Sequence, residues 1–530
     1  MAVQLDVVLV NPFSRNRVYQ SLGLRLSAIE NPVWAGLIAT YCRLHDLNVE
    51  IIDAEALEMS ATEVATQIVY LKPKLVVVVV YGHQPSASTQ VMTGASEVCS
   101  SIKQRRAEQP ILLLGGHVAA LPERTLCEEQ VDFVATGEGL HTVVELVQAL
   151  STPNPDVTKV RGLCLRQNEI FIKTEEIPLL GNLDENLPGI AWDLLPMDRY
   201  RSHNWHCLDG SERQPYAAIY TTLGCPFHCS FCCIQAPFKR PEAAAGYPTS
   251  TNSYRYWTPK HVISQIDFLV TKYGVRNLKI ADEMFILNRR HVLQICDLLI
   301  QRKYNLNIWA YSRLDTIRDD MLPKLREAGF RWLALGIESG DSSVRSGIHK
   351  FISEETIYRV IEEAQRVGIH IIGNYIFGLP DDTHDTMKET LRLAVDLNCE
   401  FANFYSAMAY PGSALYHQAL NAEVPLPSSW SGYSQHSYDC LPLPTRYIPA
   451  REVLAFRDYA FQHYFESDRY LNKITSIFGD SGRKTILEMT KVKLKRGLLD
   501  GSFSVPSVLF PASSETSKVQ QLGQLHLISN

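Results

Sequence analysis

Short apolar runs alternate with amphipathic stretches over most of the chain. In the N-terminal part these runs occupy residues 7–10, 49–53, 75–81, 111–115 and 131–135. Continuous apolar runs of this length are typical of parallel strands that helices cover on both faces. The pattern therefore predicts an α/β fold with a doubly wound, Rossmann-like parallel sheet over residues 1–150, which would bind ligands at the carboxyl ends of its strands.

The same alternation resumes after a proline-rich segment. Residues 151–205 have the spacing of a small hairpin followed by a strap, which we expect to be an ordered linker. Six further apolar runs follow at residues 217–222, 275–280, 307–313, 332–338, 369–377 and 402–407. Six strands with intervening helices predict a partial (β/α)6 barrel over residues 206–430, with its chemistry at the carboxyl-end loops.

The C-terminal part loses this alternation. Two stretches with helical spacing, 452–464 and 483–499, predict a mainly helical C-terminal region over residues 431–502. The second stretch is basic, and we expect its charged face to be solvated; contact with a membrane surface is the less favoured alternative. The Ser- and Gln-rich residues 503–530 predict a flexible tail.

Composition narrows the class of protein. The chain has 530 residues, of which 46% are hydrophobic and 20% charged, the balance of a soluble globular protein with two or three domains. Its longest apolar run is far shorter than the ~20 residues of a membrane helix, and the N-terminus lacks the pattern of a signal peptide. The net charge of -6 argues against a nucleic-acid partner held through its phosphates. We therefore expect a cytoplasmic protein without a transmembrane segment that acts on a small-molecule substrate.

The strongest chemical signal is a group of cysteines directly after the first strand of the predicted barrel. Cys225, Cys229 and Cys232 are separated by three and then two residues, in a loop opened by glycine and proline. Such a loop can hold an iron–sulfur cluster, and with three thiolates one iron of a four-iron cluster would stay open to a small molecule. The adjacent Cys233 leaves a structural metal site with four ligands as a weaker alternative, because neighbouring side chains rarely point at one centre. A disulfide is disfavoured in a chain without a secretory signal.

The run Cys225-x3-Cys229-x-Phe231-Cys232 resembles the signature of the radical S-adenosylmethionine (SAM) enzymes. This resemblance implies that the three cysteines hold a 4Fe-4S cluster whose open iron chelates SAM. It also implies an external electron donor of the flavodoxin or ferredoxin type, whose electron cleaves SAM to a 5′-deoxyadenosyl radical. Phe231 would then pack near the adenine of SAM.

The ends of the next predicted strands carry residues to which the resemblance gives further roles. Asp282 and Glu283 would contact the ammonium group of SAM, since a carboxylate suits a cation there; the alternative is a solvated pair of acids. Arg313 and Glu338 would contact the SAM carboxylate or ribose, or the substrate. Gly378 would lie beside the adenine. No catalytic side chain beyond these binding residues is assigned.

The first 150 residues resemble the cobalamin-binding domain that precedes the radical core in one large branch of this family. Glycines in the carboxyl-end loops would let the backbone approach a ligand closely. The loop residues that the resemblance places near cobalamin are Gly82, Gly115, Gly116, His117, Gly137, Glu138 and Gly139. These loops contain no Gly-x-Gly-x-x-Gly dinucleotide motif. The Asp-x-His-x-x-Gly motif that supplies a cobalt ligand in other cobalamin proteins is absent after Val10, so no lower axial ligand is assigned.

Together these features resemble the cobalamin-dependent, class B branch of the radical SAM enzymes. The resemblance implies a transferase that methylates an unactivated carbon, or phosphorus, of a small biosynthetic intermediate by way of methylcobalamin. A cyclase, ring-rearranging or oxidative enzyme of the same branch shares every motif and stays open as an alternative. A non-catalytic cobalamin or iron–sulfur sensor is less favoured because it leaves the strand-end carboxylates unexplained. A methylthiotransferase acting on transfer RNA is disfavoured by the acidic charge balance.

Overall fold

The computed structural model describes residues 5–238 and 253–500, so the predicted flexible tail lies outside the described residues. The strands of the first sheet are β1 (Val7–Asn11), β2 (Val49–Asp53), β3 (Leu75–Val79), β4 (Ile111–Leu114), β5 (Phe133–Ala135), β6 (Leu163–Gln167) and β7 (Ile170–Lys173). Their order in the sheet is β2-β1-β3-β4-β5-β6-β7. Strands β1 to β5 are parallel, whereas β6 and β7 join the sheet in antiparallel pairs.

Helices cover both faces of this sheet because its strands are apolar on both sides. The helices of this part are α1 (Arg15–Tyr19), α2 (Leu22–Arg25), α3 (Val33–Leu44), α4 (Ala54–Leu57), α5 (Ala61–Leu71), α6 (Ala87–Arg105), α7 (Gly116–Ala120), α8 (Pro122–Glu128), α9 (Leu140–Leu150) and α10 (Leu183–Asn186). Val7 and Leu9 of β1 pack into the core cluster that contains α3 and α9. Val8 and Val10 pack into the cluster on the other face, which contains α5 and α6. The doubly wound sheet predicted from the sequence is confirmed.

The hairpin predicted between the two sheets is present as β6 and β7, and it extends the first sheet. Cys164 of β6 pairs with Val134 of β5, so the hairpin continues the sheet beyond the last parallel strand. The strap that follows is ordered, with Ile190 and Trp192 buried. Gly36 of α3 leaves room for Ile190, because a side chain at this glycine would overlap it.

The second sheet forms the predicted partial barrel. Its strands are β8 (Tyr216–Ile219), β11 (Asn277–Ile280), β12 (Asn307–Arg313), β13 (Phe330–Glu338), β14 (His370–Phe377) and β15 (Phe401–Ser406), and the short strands β9 (Thr222–Leu223) and β10 (Arg255–Tyr256) form a separate antiparallel pair. The helices between them are α11 (Pro259–Tyr273), α12 (Arg289–Arg302), α13 (Leu322–Glu327), α14 (Ser342–Gly347), α15 (Glu354–Arg366), α16 (His384–Leu397) and α17 (Ala414–Asn421). Within the described ranges the order is β15-β14-β13-β12-β11-β8, and every pairing is parallel. The carboxyl ends of six neighbouring strands therefore meet at one edge.

The C-terminal region is helical, but its second helix differs from the prediction. The structure has α18 (Ala450–Phe465) and α19 (Asp468–Thr490), so the predicted helix over 483–499 begins earlier and ends earlier. The basic segment beyond α19 is not an α-helix, and its Arg496 is buried and ion-paired with Asp458 of α18. Among the described helices, none combines the length and the apolar character needed to cross a membrane.

The segment before α3 joins the two sheets. The side chain of Asn31 bonds both backbone groups of Ala218, donating to its carbonyl at 3.0 Å and accepting from its amide at 2.7 Å. The neighbouring Glu30 accepts from Lys279 of β11 at 2.9 Å and from Tyr216 of β8 at 2.8 Å. These contacts hold the N-terminal domain against the first strand of the barrel.

Candidate functional site

The cysteine loop is held in place by its own residues and by neighbouring loops. Gly224, which opens it, has φ of +82°, and a Cβ there would lie 2.5 Å from the carbonyl oxygen of Ser253. The Gln235 side chain donates to the Cys225 carbonyl and to the Phe227 carbonyl. The sequence analysis missed Gln235 because a lone glutamine carries no motif, although it closes the loop that contains the three predicted ligands.

The three cysteines fit a four-iron cluster better than a single metal ion. Burial raises the pKa of Cys225 to about 12 and that of Cys232 well above its usual range, so both free thiols hold their protons until iron displaces them. Among the described residues, no three His, Cys, Asp or Glu side chains come close enough to enclose one ion. A 4Fe-4S cluster needs no such convergence because each thiolate binds a different iron. Cys233 is buried and lies beside the loop at Gly412.

Arg313 lies against the cysteine loop. Its Nη1 donates to the Cys229 sulfur at 3.3 Å, and its guanidinium lies 3.9 Å from the centre of the Phe227 ring. Asp315 accepts two hydrogen bonds from the same guanidinium, at 3.0 and 2.7 Å. The structure thus places Arg313 beside a predicted cluster ligand, while its predicted contact with SAM or substrate stays a prediction.

The two acids after β11 have different surroundings. Asp282 is fully buried and accepts hydrogen bonds from the Thr221 amide at 2.6 Å and from the hydroxyls of Thr221 and Thr222. Burial raises its pKa to about 6, and its bonds fix the chain that leads into the cysteine loop. Glu283, in contrast, has a buried Oε2 without a partner among the described residues, and burial raises its pKa to about 8. An unpartnered buried carboxyl oxygen fits the ammonium group of SAM.

Glu338 sits in a strained position at the end of β13. Its φ is +68°, and the pairing of β13 with β14 shifts register between Gly336 and Glu338. Lys350 donates to its Oε1 at 2.5 Å, and both side chains are buried. A side chain at Gly336 would overlap this pair. The bulge therefore places Glu338 at the carboxyl end of β13, and its predicted contact with SAM or substrate stays a prediction.

Gly378 and Phe231 lie on one side of the site. Gly378 has φ of +81°, and a Cβ there would overlap Val453 of α18. Asp382 accepts from the amides of Gly378 and Leu379, which fixes this loop. Phe231 packs against the apolar cluster that contains Leu379. The predicted adenine-side residues are therefore brought together.

The glycines predicted to approach cobalamin divide into two groups. Gly82, Gly115 and Gly139 are required by the fold, because a side chain would overlap a neighbour at Gly82 and Gly115, and φ is +147° at Gly115 and +89° at Gly139. Gly116 and Gly137 have room instead: the nearest atoms to an added Cβ lie 3.6 and 3.8 Å away. Open backbone of this kind fits a large cofactor that must lie close to the chain.

The open glycines face the cysteine loop. Pro237, at the end of the described part of that loop, lies 3.8 Å from an ideal Cβ on both Gly116 and Gly137. The carboxyl edge of the first sheet therefore lies opposite the loop that carries the predicted cluster ligands.

The two polar residues of the predicted cobalamin loops make protein contacts. His117 is buried, its Nδ1 lies 3.1 Å from the Thr89 hydroxyl, and its ring packs edge-on against Trp430; burial lowers its pKa to about 3. The Glu138 carboxylate accepts from Arg255 of β10 and from the Leu180 amide. A role of either side chain toward cobalamin stays a prediction.

Three neighbouring tyrosines were not singled out by the sequence analysis. Tyr19, Tyr311 and Tyr405 come from α1, β12 and β15, and each keeps part of its surface accessible. Burial nevertheless raises the pKa of all three, to about 12 for Tyr19. The charges of Glu30 and Glu283 also raise the pKa of Tyr311, which places that phenol near both carboxylates. The three phenols therefore lie in largely desolvated surroundings, and they carry no motif that could have revealed them.

Comparisons with known proteins agree with this geometry. A family model described as the radical SAM superfamily matches residues 219–394, and one described as a B12 binding domain matches residues 21–147. An uncharacterized methyltransferase from Pyrococcus horikoshii is 27% identical over 431 residues, covering 81% of this chain and 86% of that protein. The anaerobic magnesium-protoporphyrin IX monomethyl ester cyclase of Rubrivivax gelatinosus is 26% identical over 408 residues, covering 76% of this chain and 68% of that one.

A solved structure shares the fold over nearly the whole chain. The radical SAM methyltransferase TsrM from Kitasatospora setae, determined with cobalamin and a 4Fe-4S cluster, superposes with a TM-score of 0.66 at 16% identity and covers 92% of this chain and 99% of that chain. Both family models match in the order found in the fold, the B12 domain on the first sheet and the radical SAM domain on the barrel. The chain belongs to the radical SAM enzymes that carry a B12-binding domain.

Proposed function

We propose that this protein is a cobalamin-dependent radical SAM methyltransferase that methylates an unactivated carbon, or phosphorus, of a small molecule. The observation that carries the proposal is the approach of Pro237 to Gly116 and Gly137, which brings the cysteine loop and the predicted cobalamin loops together. A methyl donor and a radical generator on opposite sides of one space could reach the same substrate. The methyltransferase name of the Pyrococcus relative supports the same activity.

The cofactors supply the difficult chemistry: when bound, the cluster and SAM provide a 5′-deoxyadenosyl radical, and cobalamin carries the methyl group. The protein positions these groups. Cys225, Cys229 and Cys232 would hold the cluster, and Glu283 would accept the SAM ammonium group. Phe231 would close the adenine side against the loop at Leu379, which excludes water from that side.

The substrate would lie beside Tyr19, Tyr311 and Tyr405. The charges of Glu283 and of Glu30, which is ion-paired with Lys279, both act on Tyr311. Phenol rings offer flat apolar faces together with hydroxyl groups that donate hydrogen bonds. They could hold a small molecule in one orientation while the surrounding protein keeps out water.

We also propose a cytoplasmic location and an external one-electron donor. All twelve cysteines lie in the described ranges and none forms a disulfide, which supports a reducing compartment. A radical SAM enzyme needs an electron to cleave SAM, and the described fold carries no domain with a motif for delivering it.

A cyclase of the same branch is the second candidate, supported by the Rubrivivax relative. It would use the same cluster, the same SAM contacts and the same three tyrosines. The two activities differ in the fate of the methyl group, since a cyclase leaves it on the methionine that SAM cleavage releases and transfers none to the substrate.

The test is anaerobic reconstitution with iron, sulfide and cobalamin, followed by reduction in the presence of SAM and assay of two products. We expect both 5′-deoxyadenosine and S-adenosylhomocysteine, because methyl transfer consumes one SAM for each. Deoxyadenosine without S-adenosylhomocysteine, in the presence of a processed substrate, would favour the cyclase. If neither forms and cobalamin does not stay bound, the proposal is wrong.

A further inference from the structure

A charged groove lies on the barrel close to the cysteine loop. It has a volume of about 890 Å³ and is lined by the start of α12, the segment after β12 and one face of α15. Its charged residues are Arg289, Arg318, Arg359, Asp315 and Asp320. None of the roles described above uses this groove.

The groove is connected to a cluster ligand by a single side chain. Asp315 lines the groove and is exposed, and it accepts both hydrogen bonds from Arg313. The same guanidinium donates to the Cys229 sulfur at 3.3 Å. A protein seated in the groove would therefore lie one carboxylate and one guanidinium away from the sulfur of Cys229.

Most charges at the groove are paired with one another. Three arginines and two aspartates line it, and Arg359 is ion-paired with the neighbouring Asp319, on a chain whose net charge is -6. Arg289 pairs with Asp320 at the surface, and exposed pairs of this kind contribute little to stability, so the arginine can exchange partners. Arg318 is exposed and has no ion pair within the described part of the chain. The guanidinium of Arg318 is therefore available to bind a negatively charged partner.

An exposed aromatic side chain lies on the loop that flanks the cysteine loop on another side. The Ser230 amide, between two of the ligands, donates to the Ile348 carbonyl, and Phe351 three residues later is 72% exposed. A large aromatic side chain in water is more typical of a contact surface than of an ordinary solvated loop.

We propose that this groove docks an acidic one-electron carrier protein of the flavodoxin type. The inference rests on the proposed function, because only a protein with a reducible cluster needs such a partner. The reduced carrier gives up one electron and is oxidised by one equivalent, and the cluster held by Cys225, Cys229 and Cys232 is reduced by the same equivalent. Arg313 acts as a positioning residue, since its positive charge lies between the groove and the sulfur that carries the cluster.

The test compares two charge reversals in the reconstituted protein. Arg318→Glu changes the groove, and Arg392→Glu makes the same change at an exposed site on the outer helix α16. A prereduced flavodoxin is the probe, its binding is measured by calorimetry at low and high salt, and cluster reduction is followed by electron paramagnetic resonance. Dithionite, which needs no docking site, serves as the chemical reductant for every variant.

We expect Arg318→Glu to weaken flavodoxin binding by about tenfold or more and to slow flavodoxin-driven reduction, with dithionite reduction unchanged. Arg392→Glu should behave as the unmodified protein, and binding by that protein should weaken at high salt because the contact is electrostatic. Equal binding by both variants would overturn the docking site. Failure of dithionite to reduce a cluster in any variant would instead overturn the proposed function, and the inference with it.

Discussion

The carboxyl edges of the two sheets face each other, yet they present different chemistry. The barrel edge carries thiols, acids and an arginine, and one of its carboxyl oxygens, Oε2 of Glu283, is buried without a partner among the described residues. The edge of the first sheet presents backbone at Gly116 and Gly137, and its polar side chains His117 and Glu138 are occupied by protein contacts. One edge therefore suits ligands that need specific donors and acceptors, and the other suits a large cofactor that is recognised mainly by shape.

The largest expected effect comes from removing a thiol at the barrel edge. Cys229→Ala leaves two of the three predicted ligands, so we expect the reconstituted protein to lose the visible absorption of the cluster and deoxyadenosine formation to fall to background. Cys127→Ala, which removes an exposed cysteine from α8, is the matched control and should leave both unchanged. A cluster that assembles normally in Cys229→Ala would contradict the ligand assignment.

The next prediction tests whether Glu138, at the carboxyl edge of the first sheet, stabilises the folded protein. Glu138→Ala leaves Arg255 unpaired in a largely buried position, which should lower the free energy of unfolding by about 3 kcal/mol. Glu128→Ala breaks an exposed pair with Arg124 and should change it by less than about 1 kcal/mol. Chemical denaturation of the cofactor-free proteins measures both. Similar values for the two variants would show that the Glu138–Arg255 pair does not hold the domains together.

A side chain added to the open backbone of the first sheet should affect cobalamin alone. Gly116→Val fills the space opposite Pro237, and we expect cobalamin affinity to fall by about 5- to 150-fold, the equivalent of ~1–3 kcal/mol of overpacking. Gly181→Val is the control, since a Cβ at that glycine meets no atom within 4 Å. Equilibrium dialysis with hydroxocobalamin measures the affinities, and iron content should stay equal in both. Unchanged cobalamin affinity in Gly116→Val would place the cofactor elsewhere.

Glu283, whose Oε2 has no partner among the described residues, should affect SAM binding strongly and the stability of the fold little. Glu283→Gln removes a charge-assisted hydrogen bond worth about 1.5–3 kcal/mol, so the Kd for SAM should rise about 10- to 100-fold. The melting temperature of the Glu283→Gln variant should not fall, because the substitution removes a buried carboxyl that has no partner in the described structure. Asp282→Asn should show the reverse, with lower stability, because Asp282 accepts three hydrogen bonds. If both variants changed only stability, Glu283 would have no role in binding SAM.

The Glu283 carboxyl also predicts the smallest effect, a dependence of stability and SAM affinity on pH. Burial raises the pKa of Glu283 to about 8, above its ordinary value, so the folded protein favours its protonated form. Its contribution to the stability of the cofactor-free protein is therefore complete below the ordinary pKa and is lost as the pH rises through about 8. SAM needs the ionised form, so SAM affinity should increase as the pH rises toward 8. Glu283→Gln should remove that slope, and a slope that persists would assign it to another group.

The sequence predicted the scaffold more fully than the site. Strand β12 was predicted at its exact bounds, and the other barrel strands within a few residues, because buried parallel strands are continuous apolar runs. The C-terminal helix was misplaced because helical spacing continues into the basic segment, where Arg496 instead makes a tertiary contact with Asp458. No local pattern could reveal such a contact, since the two residues are 38 positions apart.

The parts of the site that were missed share a physical reason. Gln235, Glu30 and Tyr19 act through contacts with distant segments, and each residue type is common in ordinary surfaces and cores. The cysteine loop was found because its ligands are adjacent in sequence and their spacing is specific to one chemistry. The different surroundings of Asp282 and Glu283 could not be predicted, because they depend on the hydroxyl groups of Thr221 and Thr222 on another strand.

The central claim is that the cluster and cobalamin occupy the two facing edges. Electron paramagnetic resonance of the doubly reconstituted protein, with cobalt in the cob(II)alamin state and the cluster reduced, tests it most directly. We expect each signal to relax faster, or to broaden, relative to protein loaded with only one cofactor, because two spins that share one interdomain space interact. Signals that simply add, without any change in relaxation, would contradict the claim that the two edges form one site.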